Sequence, residues 1–137
     1  MRVIAGRDGG LRLQSPKGLA TRPTADRVKE SLFSILSPYL AGAAVLDLYA
    51  GSGALGIEAL SRGANRALFV DHSSQAAAVI RRNLTHTGFA DSGEVWCCAA
   101  DRAIKRLARE TRTFDVIFAD PPYNRGLAAA TVLKVGE

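Results

Sequence analysis

The sequence has no apolar run long enough to span a bilayer. Its opening, Met1 to Gly10, has no hydrophobic centre of the kind a secretory signal needs. A cytoplasmic chain working away from membranes is therefore expected. Histidine is scarce, with only His72 and His86, and the two cysteines, Cys97 and Cys98, are neighbours. Adjacent cysteines bridge poorly, and the set lacks zinc-ligand spacing, so no metal site is expected. The apolar run around them reads as a strand that buries both thiols. Neither histidine sits in a motif that would support a nucleophilic triad. Internal repeats and low-complexity tracts are also missing.

What the sequence does have is enough apolar material, 47% of 137 residues, to build one globular core. Its net charge of +5 is unevenly placed. Residues 1–29 carry seven basic residues (Arg2, Arg7, Arg12, Lys17, Arg22, Arg27 and Lys29) against Asp8 and Asp26, while the remainder is balanced. A basic segment of this density suits a polyanion, with phosphate contacts and salt-dependent affinity.

Two short strands around Asp8-Gly9-Gly10 suggest an N-terminal hairpin. Residues 1–23 are expected to form a basic arm and 24–137 the main domain. Thr24 reads as the N-cap of a helix over 25–36, stopped at Ser37-Pro38. Strands and helices then alternate. Strands are expected at 44–48, 67–70, 95–99 and 114–119. Helices are expected at 54–61, from Ser73 or Ser74 to His86, from an Asp101 cap to Arg109, and at 127–134. Continuously apolar strands separated by helices mean a doubly wound α/β fold with a parallel sheet. Ligands of such sheets bind beyond the carboxyl ends of the strands, where Asp47–Gly53, Asp71 and Asp120 would meet.

The segment Asp47-Leu48-Tyr49-Ala50-Gly51-Ser52-Gly53-Ala54-Leu55-Gly56 is a strand end running into a glycine turn. Gly51, Gly53 and Gly56 fit a dinucleotide fingerprint, and Asp71 stands 20 positions after Gly51, near the offset of a ribose-binding acid. On that basis a dinucleotide oxidoreductase is a rival reading. An acid at Asp47 would repel a pyrophosphate and favour a cationic ligand. The pattern Asp47-x-x-x-Gly51-Ser52-Gly53 resembles the cofactor motif of class I methyltransferases, whose S-adenosylmethionine carries two positive groups. In that resemblance Asp71 accepts from the ribose hydroxyls. Asp101 receives the adenine amine, or else only caps its helix.

Asp120-Pro121-Pro122-Tyr123 follows an apolar strand. It resembles the motif of methyltransferases that modify exocyclic amines of adenine or guanine. Such an amine is a poor nucleophile, because its lone pair is delocalised into the ring. Asp120 and the Pro121 carbonyl can accept hydrogen bonds from it and favour the positive charge that develops on nitrogen. The prolines stiffen the loop, and Tyr123 offers a flat face to an extruded base.

Taken together, Arg2–Gly6, Lys17–Leu36, Val45–Ala64 and Phe114–Tyr123 resemble the bacterial 16S ribosomal RNA guanine-N2 methyltransferases of the RsmD family. The resemblance implies S-adenosylmethionine as cofactor, held by Asp47, Tyr49, Gly51, Ser52, Gly53, Asp71 and Asp101. It implies catalysis by Asp120, Pro121, Pro122 and Tyr123. It further implies RNA contact through Arg2, Arg7, Arg12, Lys17, Arg22 and Arg27, with Thr21–Thr24 folding over the site. The implied partner is 16S rRNA, in a small ribosomal subunit or an assembly intermediate. Members of the family continue for several strands past the proline motif, whereas this sequence ends at Glu137. The sheet is therefore expected to stop after its fourth strand and leave that strand as a bare edge. Adenine-N6 methylation and a non-catalytic RNA-binding module remain as alternatives.

Overall fold

The computed structural model describes residues 2–3, 22–119 and 129–132. In chain order these form β1 (Arg2–Val3), α1 (Arg22–Leu40), β2 (Ala44–Leu48), α2 (Ala54–Ser61), β3 (Arg66–Asp71) and α3 (Ser74–Thr87). A single 3-10 turn at Ala90–Ser92 leads to β4 (Gly93–Cys97), α4 (Ala100–Arg109), β5 (Val116–Ala119) and β6 (Ala129–Val132). The strands make one sheet in the order β1-β6-β5-β2-β3-β4.

The four strands β5, β2, β3 and β4 run parallel. Each alternates its apolar side chains between two covered faces, as a parallel sheet requires. On one face Val45, Phe69, Val116 and Phe118 pack beneath α1, α2 and α3, together with Leu32, Phe33, Leu36 and Ile80. On the other, Leu46, Leu48, Leu68, Val70 and Trp96 pack beneath α4 through Ala103 and Leu107. Phe33 and Phe118 meet with ring centroids 5.6 Å apart. Each such fully buried side chain contributes about 1.5–3 kcal/mol.

Several expectations need correction. The residues expected as a last helix, 127–134, include β6, which lies antiparallel against β5 with Val116 opposite Val132 and Ala119 opposite Ala129. The fourth main strand is therefore flanked on both sides, and the sheet does not stop there. Local composition favours a helix in this Ala-rich stretch, but pairing with β5 prevails. β1 pairs in parallel with β6 at the sheet's edge; the second arm of the expected hairpin lies outside the described residues.

Helix α1 begins at Arg22, so Thr24 lies inside it and does not cap it. It also runs through Pro38 to Leu40. Proline there forfeits one hydrogen bond near the helix end, and the continuation fully buries Leu40. β4 begins and ends two residues earlier than expected, and as an edge strand it leaves Glu94 and Cys97 exposed, on opposite faces. Cys97 is consequently exposed, and Cys98 is half-buried just past the strand, so neither thiol is the core residue expected. Helix α3 follows its local chemistry. Ser73 Oγ accepts from Ala76 N–H at 3.2 Å, and Gly88 closes the helix.

Candidate functional site

The register of the sheet brings the marked strand ends together. Leu48 is level with Val70 on one side and Ala119 on the other, and Asp71 is level with Cys97. Beyond that line lies the turn from β2 into α2. Tyr49 has φ 57°, uncommon for a bulky residue, at a cost of order 1–3 kcal/mol. Gly53 caps α2 at φ 85°, where a Cβ would also crowd Ile80. Gly56 serves a different purpose, because a Cβ there would strike the Phe69 ring. It lets α2 lie close on β3.

Carboxylates hold this turn. One oxygen of Asp71 accepts from Gly51 N–H at 2.9 Å, and the other accepts from Ser73 N–H at 2.9 Å. Asp47 is only 2% exposed, and its carboxylate accepts from Gly56 N–H, in the first turn of α2, at 3.1 Å. It thus lies under the loop, against the positive end of α2, and does not face the cleft mouth. The Asn83 side chain donates to the Ser52 carbonyl at 2.9 Å and ties the loop to α3.

A cleft of about 330 Å³ opens beside the turn, lined by Tyr49, Val70, Asp71, His72, Cys98, Ala99, Ala100 and Asp101. That size is at the lower end of small-molecule sites. Asp101 does not cap α4; that position belongs to Ala99, and Asp101 stands exposed in the first turn. Its carboxylate is thereby available to a ligand amine. Among the described residues, the lining carries two carboxylates and no lysine or arginine. The amides of Gly51 and Gly56, at the turn and the helix start where a pyrophosphate would seek donors, are already taken by Asp71 and Asp47. Such a cleft suits hydroxyl and amine donors and cationic groups better than phosphates.

Of the sequence-predicted residues, Tyr49, Asp71 and Asp101 line the cleft, Gly51, Ser52 and Gly53 form the adjoining turn, and Asp47 supports it from below. Asp120, Pro121, Pro122 and Tyr123 lie outside the described residues, as do Arg7, Arg12, Lys17 and Thr21. Arg2 belongs to β1 and Arg22 opens α1, while Arg27 is exposed on α1. Sequence reasoning passed over Asn83, His72 and the Cys98–Ala100 wall. The Asn83 contact spans 31 positions, and no local pattern announces it. The strand expected over 95–99 absorbed Cys98 and Ala99, whereas β4 ends at Cys97 and leaves both in the cleft wall.

A family model described as conserved hypothetical protein 95 matches residues 1–137. The Bacillus subtilis protein YlbH, named provisionally as an rRNA methyltransferase, is 42% identical over all of this chain, which spans 74% of that protein. Ribosomal RNA small subunit methyltransferase D of Escherichia coli is 36% identical over 96% of this chain, which spans 65% of it. A solved Escherichia coli structure, yhhF, provisionally named a methyltransferase, superposes with a TM-score of 0.66 at 39% identity, covering 93% of this chain and 67% of its own. The chain belongs to the conserved hypothetical protein 95 family, the family of the ribosomal RNA small subunit methyltransferases D.

Proposed function

We propose that the chain binds S-adenosylmethionine in the cleft at the ends of β2, β3 and β4 and methylates the exocyclic N2 amine of a guanine in 16S rRNA, in the cytoplasm. The observation that carries this reading is the pair of acids, Asp71 and Asp101, facing one cleft beside a turn whose Gly51 and Gly53 amides are already occupied. Asp71 is suited to the ribose hydroxyls and Asp101 to the adenine amine. The Gly51–Gly53 turn leaves room for the amino-acid end.

When bound, S-adenosylmethionine supplies an electrophilic methyl group on sulfur. Asp120 and the Pro121 carbonyl accept hydrogen bonds from the guanine amine and keep its lone pair directed at that methyl. As the nitrogen–carbon bond forms and the carbon–sulfur bond breaks, Asp120 stabilises the charge growing on nitrogen and offers a path for the departing proton. Tyr123 stacks on the extruded base. Ala119, the residue before Asp120, is paired with Leu48 beside the glycine turn, which supports this assignment of the motif. The exposed Arg27 and the basic arm supply phosphate contacts.

The test is methyl transfer from labelled S-adenosylmethionine to small subunits that lack the modification, followed by mass analysis of the nucleosides. N2-methylguanosine is expected. N6-methyladenosine would overturn the choice of base. Binding of S-adenosylhomocysteine and of rRNA without any transfer would reduce the chain to a binding module.

A further inference from the structure

Helix α4 carries Arg102, Lys105, Arg106 and Arg109. Spacing of three, four and seven residues puts all four on one face, in a stripe about 10 Å long. All four are exposed, while Ala103 and Leu107 on another face are buried against the sheet. Residues 100–112 hold five basic residues against two acidic, whereas residues 30–99 hold four against six. The neutrality of the chain beyond its first 29 residues therefore conceals a positive ridge.

Two cations of this ridge are already engaged. Arg106 lies 3.9 Å over the Trp96 ring and pairs with Glu110 at 2.9 Å, and Arg112 pairs with Glu94 at 3.1 Å. Arg102, Lys105 and Arg109 have no carboxylate partner among the described residues. Arg109 is favoured by the negative end of its own helix, but Arg102 stands in the first turn, where a cation is disfavoured. Helix stability gives no reason for it. The stripe starts beside Asp101 at the lip of the cleft and runs away from it along α4. Among the described residues, the aromatics in contact with the ridge are Trp96 and Phe114; both are buried, and Arg106 covers Trp96, so they offer no open stacking face.

We infer that the Arg102–Lys105–Arg109 face of α4 is a second RNA-contact surface, separate from the N-terminal arm, that grips phosphates of a strand leading away from the cleft. The contact fixes position and is indifferent to sequence. It rests on the rRNA reading above.

The test is binding of an unmodified small-subunit rRNA transcript over a salt series, with the full chain and with R102Q/K105Q/R109Q. Glutamine keeps the helix propensity of the residues it replaces. Calorimetric titration with S-adenosylhomocysteine reports on the integrity of the fold. The variant is expected to bind RNA more weakly, with its log–log salt slope flatter by about two if three single-strand phosphates are released, and to bind S-adenosylhomocysteine as the parent does. A parent-like slope in the variant would overturn the inference and leave the rRNA reading intact. If the parent itself showed no salt-dependent RNA binding, both would fall together. Should the variant also lose S-adenosylhomocysteine, the single change R102Q decides: it must flatten the slope with cofactor binding kept, and an unchanged slope rejects the surface.

Discussion

At the scale of single residues, the three glycines of the turn are not equivalent, and Gly56 shows why. In an open helix, Gly→Ala stabilises by about 1 kcal/mol. Here the added Cβ would come within 2.8 Å of Phe69 Cζ, and closer still to another ring atom. Phe69 is fully buried and has nowhere to retreat. Gly56→Ala should therefore destabilise by about 1–3 kcal/mol, the usual cost of overpacking. Urea unfolding should show most of that cost vanish in a Phe69→Leu background, where the ring is gone. Equal costs in both backgrounds would mean that the close approach of α2 to β3 does not set the sign. Asp120 calls for a kinetic test. Asp120→Ala removes one acceptor of the reacting amine and should raise the barrier by about 2.7–4 kcal/mol. S-adenosylhomocysteine affinity should stay at the parent value, and near-normal turnover would remove Asp120 from the proposed mechanism.

At the scale of elements, α1 and α2 are joined by a charged strut. Lys29 reaches Glu58 at 3.3 Å, Glu58 pairs with Arg62 at 2.8 Å, and Arg62 lies 5.1 Å from the Phe33 ring centre. The Arg62 hydrogen bond, assisted by Lys29 and opposed by partial burial, holds the Glu58 carboxyl below its ordinary 4.5. At Glu94 burial pushes upward, but Arg112, Trp96 and Arg106 together prevail and lower it as well. A carboxyl depressed in the folded state stabilises the fold above the unfolded value, and that stabilisation is lost as pH falls through the folded one. Glu58→Gln should cost about 0.2–1 kcal/mol at neutral pH, with the difference from the parent shrinking as pH drops below the ordinary carboxylate range. A difference independent of pH would assign the effect to packing. Other elements were legible from local chemistry alone. Ser73 and Gly88 mark the ends of α3 because a cap and a left-handed closure are settled within a few residues. Asp101 misled for a related reason. An acid before a helical run looks like a cap, but the chain leaves β4 early enough for Ala99 to take that position, which frees Asp101 for the cleft. Asp47 was legible as an acid at the end of a strand. Its burial against Gly56 depends on how closely α2 approaches, and that is set by packing across the sheet.

At the scale of the whole molecule, the parallel four-strand core was readable because the strands are mostly apolar and are separated by helices, a pattern tied to coverage on both faces. β6 was not readable. Its pairing is antiparallel, and of its four residues only Thr131 and Val132 favour a strand, within an alanine-rich stretch. What makes it a strand is the edge of β5 waiting beside it, a non-local cause that no window of sequence contains. That edge gives β6 a definite task. It covers the side of β5 that β2 does not, and it carries β1 on its other side. A chain ending at residue 126 would expose the full hydrogen-bonding edge of β5, next to the strand end from which the Asp120 motif departs. Bare apolar edges recruit other strands. The shortened chain should thus unfold at lower urea and associate with rising concentration in sedimentation, while the full chain does so less. If it stayed monomeric with an unchanged midpoint, the pairing with β6 would contribute nothing to the fold.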